Sequence, residues 1–177
     1  MEKSLQKLEI PEPFRVSPFY KNQQLIESAF IEEEVTFQIP FLYDLCYYAN
    51  PQILPVWPWN KEENYFHEYW MKQRESIREL FHIREQKKAK DPMLLSISAF
   101  IDQLFWSTGH SVNTLNSQQL FLGIQLLPFA PLNIEERLSY LLSQPDRYLS
   151  FVQLDELEQE FTKKRSSYLR RHESNQS

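Results

Sequence analysis

The side chains able to do acid–base, nucleophilic or metal chemistry are few and scattered along this sequence. Four histidines and one cysteine are present, and none sits in the dense spacing that a structural metal site needs. His67-Glu68 opens like the helical zinc-protease motif, but Met71 stands where the second ligand must lie one turn on. His67 and His82 are 15 residues apart, which on one helix separates them by roughly 22 Å along the axis. They cannot share a metal, so neither a metal site nor a cofactor is expected. Cys46 would need a histidine in space to act as a nucleophile. Its neighbours Leu42, Leu45 and Ala49 are instead those of a cysteine packed as a small hydrophobe. Ser107-Thr108-Gly109-His110-Ser111 is a polar run where a binding loop could sit, and also what a helix-terminating sequence looks like. Asp102 is the only charged residue from Pro92 to Ile134. It reads as an exposed flank of a central helix or as the partner of a base such as Arg137. An enzyme site around Asp102 or His110 would need a partner that adjacency does not reveal.

Two groups of residues suit binding better than catalysis. Trp57, Trp59, Tyr65, Phe66, Tyr69 and Trp70 crowd into 14 residues beside the proline-rich PQILPVWPWN. Tryptophan and tyrosine anchor interfaces and also build cores. Helical spacing places four of the six in a core stripe, leaving Trp57 and Trp59 as the partly exposed ones, with Tyr65 beside them as a candidate interaction surface. Arg84, Lys87 and Lys88 end one predicted helix, and Lys163, Lys164 and Arg165 lie toward the end of another. Together they would form a phosphate-contacting patch; separately they are cations where helix C-termini favour them.

The elements that must position these groups follow from composition and punctuation. Only two glycines, Gly109 and Gly123, are present, so no glycine-rich phosphate loop can be written and a hairpin-rich β fold is poorly supported. A net charge of −5 argues against coating nucleic acid or anionic lipid by bulk attraction. A lone cysteine forbids an internal disulfide, and MEKSLQKLEI has no signal-peptide pattern. No apolar run reaches the ~18 residues of a membrane span. These readings predict a cytoplasmic protein that does not engage a membrane.

Residues 1–20, with Pro11, Pro13 and Pro18 among Phe14, Phe19 and Tyr20, predict an extended arm laid on the surface. Apolar spacing then predicts a helix from Asn22 through Leu25, Ile26, Ala29 and Phe30, and another from Phe41 to Ala49. Asn60 and Glu63 form a capping box opening one long helix from Lys61 to about Lys88. Asp91-Pro92 opens a central helix that Gly109 ends. A short helix spans Gln118 to Leu126. Boxes at Asn133/Glu136 and Ser150/Gln153 open the last two, the final one running to Arg171 before a polar tail over 172–177. The expectation is an all-α fold, a single bundle of six or seven helices over residues 21–171 with an extended N-terminal arm.

PLNIEERLSYLL (131–142) followed by QPDRYLSFVQLDELEQEFTKK (144–164) resembles the YpoC-like family of small helical proteins from Gram-positive bacteria; PVWPWN and LFWSTGHSV fit less specifically. The resemblance covers residues 60–165. It implies an all-helical, bacterial, cytoplasmic protein of uncharacterised function, and it carries over no site residue. The reading of the residues themselves is a non-catalytic helical module that binds another protein. Association with nucleic acid through the basic helix ends is the alternative, and a homodimer remains open.

Overall fold

The computed structural model describes residues 3–5, 7–32 and 34–176. Met1, Glu2 and Gln6 of the expected arm, Glu33, and Ser177 of the expected tail lie outside the described residues. Six α-helices dominate: α1 (Leu42–Ala49), α2 (Tyr65–His82), α3 (Gln86–Trp106), α4 (Ser117–Gln125), α5 (Ile134–Ser143) and α6 (Tyr148–Ser174). The all-α expectation holds. Among the described residues no helix is long and apolar enough to cross a membrane.

α3 is the central helix because it is apolar around most of its circumference. Met93, Ile97, Phe100, Ile101 and Leu104 are all fully buried, packed by α2, α5 and α6. α2 supplies the stripe Phe66, Trp70, Ile77 and Phe81, and α6 closes over it with Phe151, Leu154, Leu157 and Phe161.

The single helix expected from Lys61 to Lys88 is two. α2 stops at His82, Arg84 adopts a left-handed φ of 62°, and α3 begins at Gln86. Glu85 donates its N–H to the Leu80 carbonyl, closing the turn. A straight continuation would have carried the α2 stripe beyond the protein, whereas folding back buries α3 against α2. That burial outweighs the roughly 1–2 kcal/mol that a left-handed non-glycine residue costs. Asp91-Pro92 then lies inside α3 rather than at its start.

The helix expected from Asn22 is absent. Leu25–Ile26 (β3) and Ala29–Ile31 (β4) are short strands pairing antiparallel with Leu8–Glu9 (β2) and Lys3–Leu5 (β1). Along β4, Ala29 and Ile31 are buried while Phe30 is exposed, a period of two that won over the helical spacing. The arm is consequently built into the core, with Ile10 and Phe14 fully buried and the Pro13 carbonyl accepting the Leu115 N–H.

Caps shift by a few residues. Asn64, not Asn60, caps α2 by accepting the His67 N–H, and Asn60 instead accepts the Trp57 N–H. Asn133 has a φ of 54° and makes no side-chain cap, and the Ser150 hydroxyl donates back to Gln144 inside α6. α6 continues through Ser174, so half of the expected tail is helical. The N-terminus of α2 is pinned by Gln103 of α3, which accepts the Phe66 N–H and donates to the Glu63 carbonyl and Ser107 hydroxyl. One buried amide thereby answers backbone groups that a helix start leaves open and fixes where Tyr65 stands.

Candidate functional site

Trp57 and Trp59 do not form a surface. They are 5% and 8% exposed, stacked on one another at 5.2 Å with Tyr47 edge-on to both. The Trp57 indole N–H donates to the Pro51 carbonyl, and Trp59 leans on Trp106. The expected partial exposure is corrected: the proline-stiffened connector turns both rings inward, where the polar tip of Trp57 still finds a partner.

Tyr65 does reach an opening. The extended segment 34–38 and the first turns of α2 enclose a cleft of about 730 Å³ lined by Val35, Phe37, Lys61, Tyr65, Tyr69 and Lys72 among others. A second hollow of about 250 Å³ shares Val35, Lys61 and Tyr65 and extends to Leu54 and Trp57. The walls are anchored from behind. Phe37 packs against Tyr69 and Trp106, and Tyr65 is edge-on to Trp106. The phenol of Tyr43 meets the Glu32 and Glu34 carbonyls and accepts the Thr36 N–H, holding 32–36 extended. Between those points the N–H and C=O groups of Val35 and Phe37 have no partner among the described residues.

The Tyr65 hydroxyl is covered and makes no well-formed hydrogen bond among the described residues, with the Glu63 carboxylate beside it. Burial, reinforced by the Glu63 carboxylate, pushes it up to about 12. Glu32, Glu34, Glu63 and Glu68 face the two hollows against Lys61 and Lys72, so the surround is net negative. This pocket has anchored aromatic walls, exposed charges and open backbone groups, a combination suited to gripping a chain rather than to bond chemistry.

Asp102 belongs to a different and sealed place. It and Asp44 of α1 are buried, and their carboxyl groups hydrogen-bond each other. Asp44 Oδ1 accepts the Val112 N–H at 2.6 Å and the Trp106 indole N–H at 3.2 Å. Burial pushes Asp44 up to about 6, and burial with the charge of Asp44 pushes Asp102 well above the carboxylate range. At neutral pH Asp102 therefore holds the proton and donates it to ionised Asp44. Asp102 is neither an exposed flank nor the partner of Arg137, whose guanidinium goes to Glu160 at 2.8 Å and Gln153 at 2.9 Å. Cys46 is buried nearby, its thiol pushed up to about 12 by burial and then by Asp44, so it packs as a hydrophobe.

The remaining candidates are dispersed. His67 bonds through Nδ1 to the buried Glu158, which also accepts the Thr162 hydroxyl, and Asn64 donates to Thr162. This chain of contacts ties α2 to α6. His110 is exposed at the polar side of a mainly apolar hollow that Thr108, Ser111 and Asn113 line with Phe105, Leu126 and Leu127. Among the described residues no three of His, Cys, Asp or Glu converge as a metal site would require.

The two basic clusters do not merge. α2 and α6 run antiparallel, with Asn64 beside Thr162 and Phe81 beside Tyr148. Arg84, Lys87 and Lys88 therefore lie near the start of α6, and Lys163, Lys164 and Arg165 about 22–26 Å along it. Because α3 starts at Gln86, Lys87 and Lys88 occupy a helix N-terminus rather than the C-terminus expected. Lys88 pairs with Glu85 and Lys164 with Glu160, while Arg165 is half-buried with an unpartnered Nε.

Tyr43, Asp44 and the segment 34–38 did not stand out in the sequence as site residues. Only the placement of Asp44 inside the apolar helix LYDLCYYA hinted at a buried carboxylate.

The comparisons with known proteins give a family without a chemistry. The family model for YpoC-like proteins matches residues 60–173. The chain is 29% identical over 127 residues to the "Uncharacterized protein YpoC" of Bacillus subtilis (strain 168), covering 70% of this chain and 74% of that protein. No solved structure matches. The matched span holds α2 through most of α6 and one wall of the cleft, and this chain belongs to the YpoC-like family.

Proposed function

We propose that this protein is a peptide-binding module, in which the cleft between residues 34–38 and α2 receives an extended segment of a partner protein. The observation that carries the reading is the pair of backbone groups on an anchored wall that have no partner among the described residues, those of Val35 and Phe37, with the Tyr65 hydroxyl and the Glu63 carboxylate facing them. An extended peptide answers such groups by strand addition, with side chains entering hollows alternately. The shared wall of the 730 and 250 Å³ hollows suits an apolar side chain in the smaller one. The four glutamates against two lysines favour a segment bearing basic residues. The nucleic-acid alternative draws on two clusters too far apart to act as one and partly neutralised by glutamates.

Selection from a displayed peptide library against the full chain tests the reading. Selected peptides should carry an apolar residue flanked by basic ones and lose binding to Tyr65→Phe and Glu68→Lys variants that melt like wild type. Peptides that bind both variants undiminished place recognition elsewhere. No selected peptide, with salt-sensitive retention of an oligonucleotide abolished by Lys163→Glu, transfers the function to nucleic acid.

A further inference from the structure

The last turns of α6 are charged with one sign. From Phe161 to His172 the chain holds Lys163, Lys164, Arg165, Arg170 and Arg171 and no acid, which leaves 14 of its 19 bases against all 24 acids elsewhere. Cations near a helix C-terminus are ordinary, but that attraction fades within the last turn. α6 ends at Ser174, so Lys163 and Lys164 stand about three turns too early for it to account for them. Solvent-facing positions on α2 mix signs instead, as Arg74, Glu75 and Arg78 do. These last turns also run beyond the start of α2, since Asn64, the residue before it, faces Thr162. They are tethered by Tyr168, edge-on to Phe129, and by Lys164, which donates to the Ala130 carbonyl and pairs with Glu160. Beside them a hollow of about 390 Å³ is lined by Pro128, Lys163, Lys164, Ser167, Tyr168 and Arg171, with no acid in its wall. Lys163, Arg170 and Arg171 form no ion pair among the described residues.

We infer that this end of α6 binds the phosphodiester backbone of a nucleic acid. Lys163, Ser167 and Arg171 follow one another at four-residue spacing and form a row of roughly 12 Å on one helix face. A nucleic acid strand presents a charge about every 3.4 Å along the duplex axis, so the row spans about three phosphates. Lysine brings a point charge, arginine a planar fork and serine a hydroxyl donor, all of them partners of phosphate oxygens. Cations strung in a line suit a regular polyanion, whereas a single phosphate group calls for cations converging on one point. A lipid surface fits less well. No large hydrophobic residue among 161–176 is exposed, and an interfacial helix needs an apolar face to bury. The acidic remainder of the molecule repels the same strand, which confines contact to this patch and keeps the site short. Contacts of this kind carry no sequence information. The basic residues at the α2–α3 turn take no part, and the cleft is lined by other residues.

Fluorescence anisotropy of labelled oligonucleotides of about 20 nucleotides, titrated with the full chain between about 50 and 200 mM salt, tests the inference. Single-stranded and duplex probes of mixed sequence are compared, since both present the same backbone chemistry. Wild type should bind at least one of them, and the tighter one names the form of the strand. Its log affinity should fall linearly with log salt, by about 0.7 to 0.9 for each phosphate contacted. Lys163→Gln and Arg171→Gln, both at exposed positions, should each weaken binding and reduce that slope by about 1. Lys87→Gln, in the other basic cluster, and Tyr65→Phe, in the cleft, should leave affinity and slope unchanged, which separates this result from the fate of the peptide reading. No binding of either probe at about 50 mM salt overturns the inference. Binding whose slope both α6 substitutions leave at the wild-type value overturns it equally. Retention on phosphatidylserine vesicles without binding to either probe overturns it in favour of lipid.

Discussion

Two regions of this molecule hold buried polar atoms without ordinary partners, and they resolve the problem in opposite ways. In the sealed core, Asp44 Oδ2 and Asp102 Oδ1 have no donor, but the two carboxyl groups meet and share a proton. Trp106 and Val112 answer the remaining oxygen of Asp44. The site closes on itself. In the cleft, the Tyr65 hydroxyl has only the Glu63 carboxylate beside it, and the backbone of Val35 and Phe37 has no partner among the described residues, although the aromatic walls behind them are firmly packed. A polar site that satisfies itself is architecture; one left open on a rigid wall is an address for something else.

Mutations in the closed region should be expensive and those in the open region nearly free. Trp59→Ala is expected to cost about 3–5 kcal/mol, as large aromatics removed from cores do, read as a fall in the urea midpoint. A loss under about 1 kcal/mol would return the Trp57/Trp59 pair to the surface and undo the contrast.

Asp44→Ala should cost about 2–4 kcal/mol, because the Val112 N–H and Trp106 indole N–H lose their acceptor in a place water does not reach. Equal stability of the variant would mean that water enters there after all.

The pH dependence sharpens the comparison further. Asp44 is pushed up from 3.8 to about 6, and Asp102 is raised as well. A carboxyl whose folded value is raised contributes stability that is fully present below its unfolded value and lost as pH rises through the folded one. Wild type should therefore lose on the order of 1–3 kcal/mol from this pair between pH 4 and 8. Glu160, held low by the Leu132 N–H, Arg137 and Lys164 against the opposing effect of its burial, acts with the opposite sign. Its contribution is lost as pH falls, and it is common to wild type and variant. Asp102→Asn supplies a permanent neutral donor to Asp44 and should flatten the difference measured by urea unfolding at pH 5 and pH 8. An unchanged slope would place the titration elsewhere.

Tyr65→Phe is the smallest expected effect on stability, within about 0.5 kcal/mol, since it deletes a covered hydroxyl that makes no well-formed hydrogen bond among the described residues. A substantial loss would show that the hydroxyl is satisfied within the fold, and the open region would then resemble the closed one.

How much of this was legible in the sequence depends on the range of the signal. Local punctuation worked where one residue governs one turn. Pro40 and Pro51 bracket α1, and Gly109 takes a φ of 78° just past the end of α3. The α2–α3 turn was hidden because neither glycine nor proline marks residues 83–85, and tertiary packing alone sets Arg84 in the left-handed region. β3 and β4 were hidden because partners 16 to 28 residues away, at Lys3–Leu5 and Leu8–Glu9, decide them. Of the cleft, Tyr65 was visible as an aromatic beside a rigid connector. Val35 and Phe37 were not, because their relevance lies in what their backbone fails to meet. Asp102 was conspicuous for its isolation, yet its partner is 58 positions away at Asp44, and no spacing rule connects the two.

Site-specific photo-crosslinking in a bacterium that makes the protein tests the central claim most directly. A photoreactive residue placed at Lys72 or Glu68 in the cleft should capture a discrete protein, with the crosslink mapping to an extended basic segment of it. The same residue at exposed Glu79, farther along α2 and outside the cleft, should capture nothing comparable. Capture that is equal from both places, or confined to Glu79, would contradict the assignment of this cleft as the binding site.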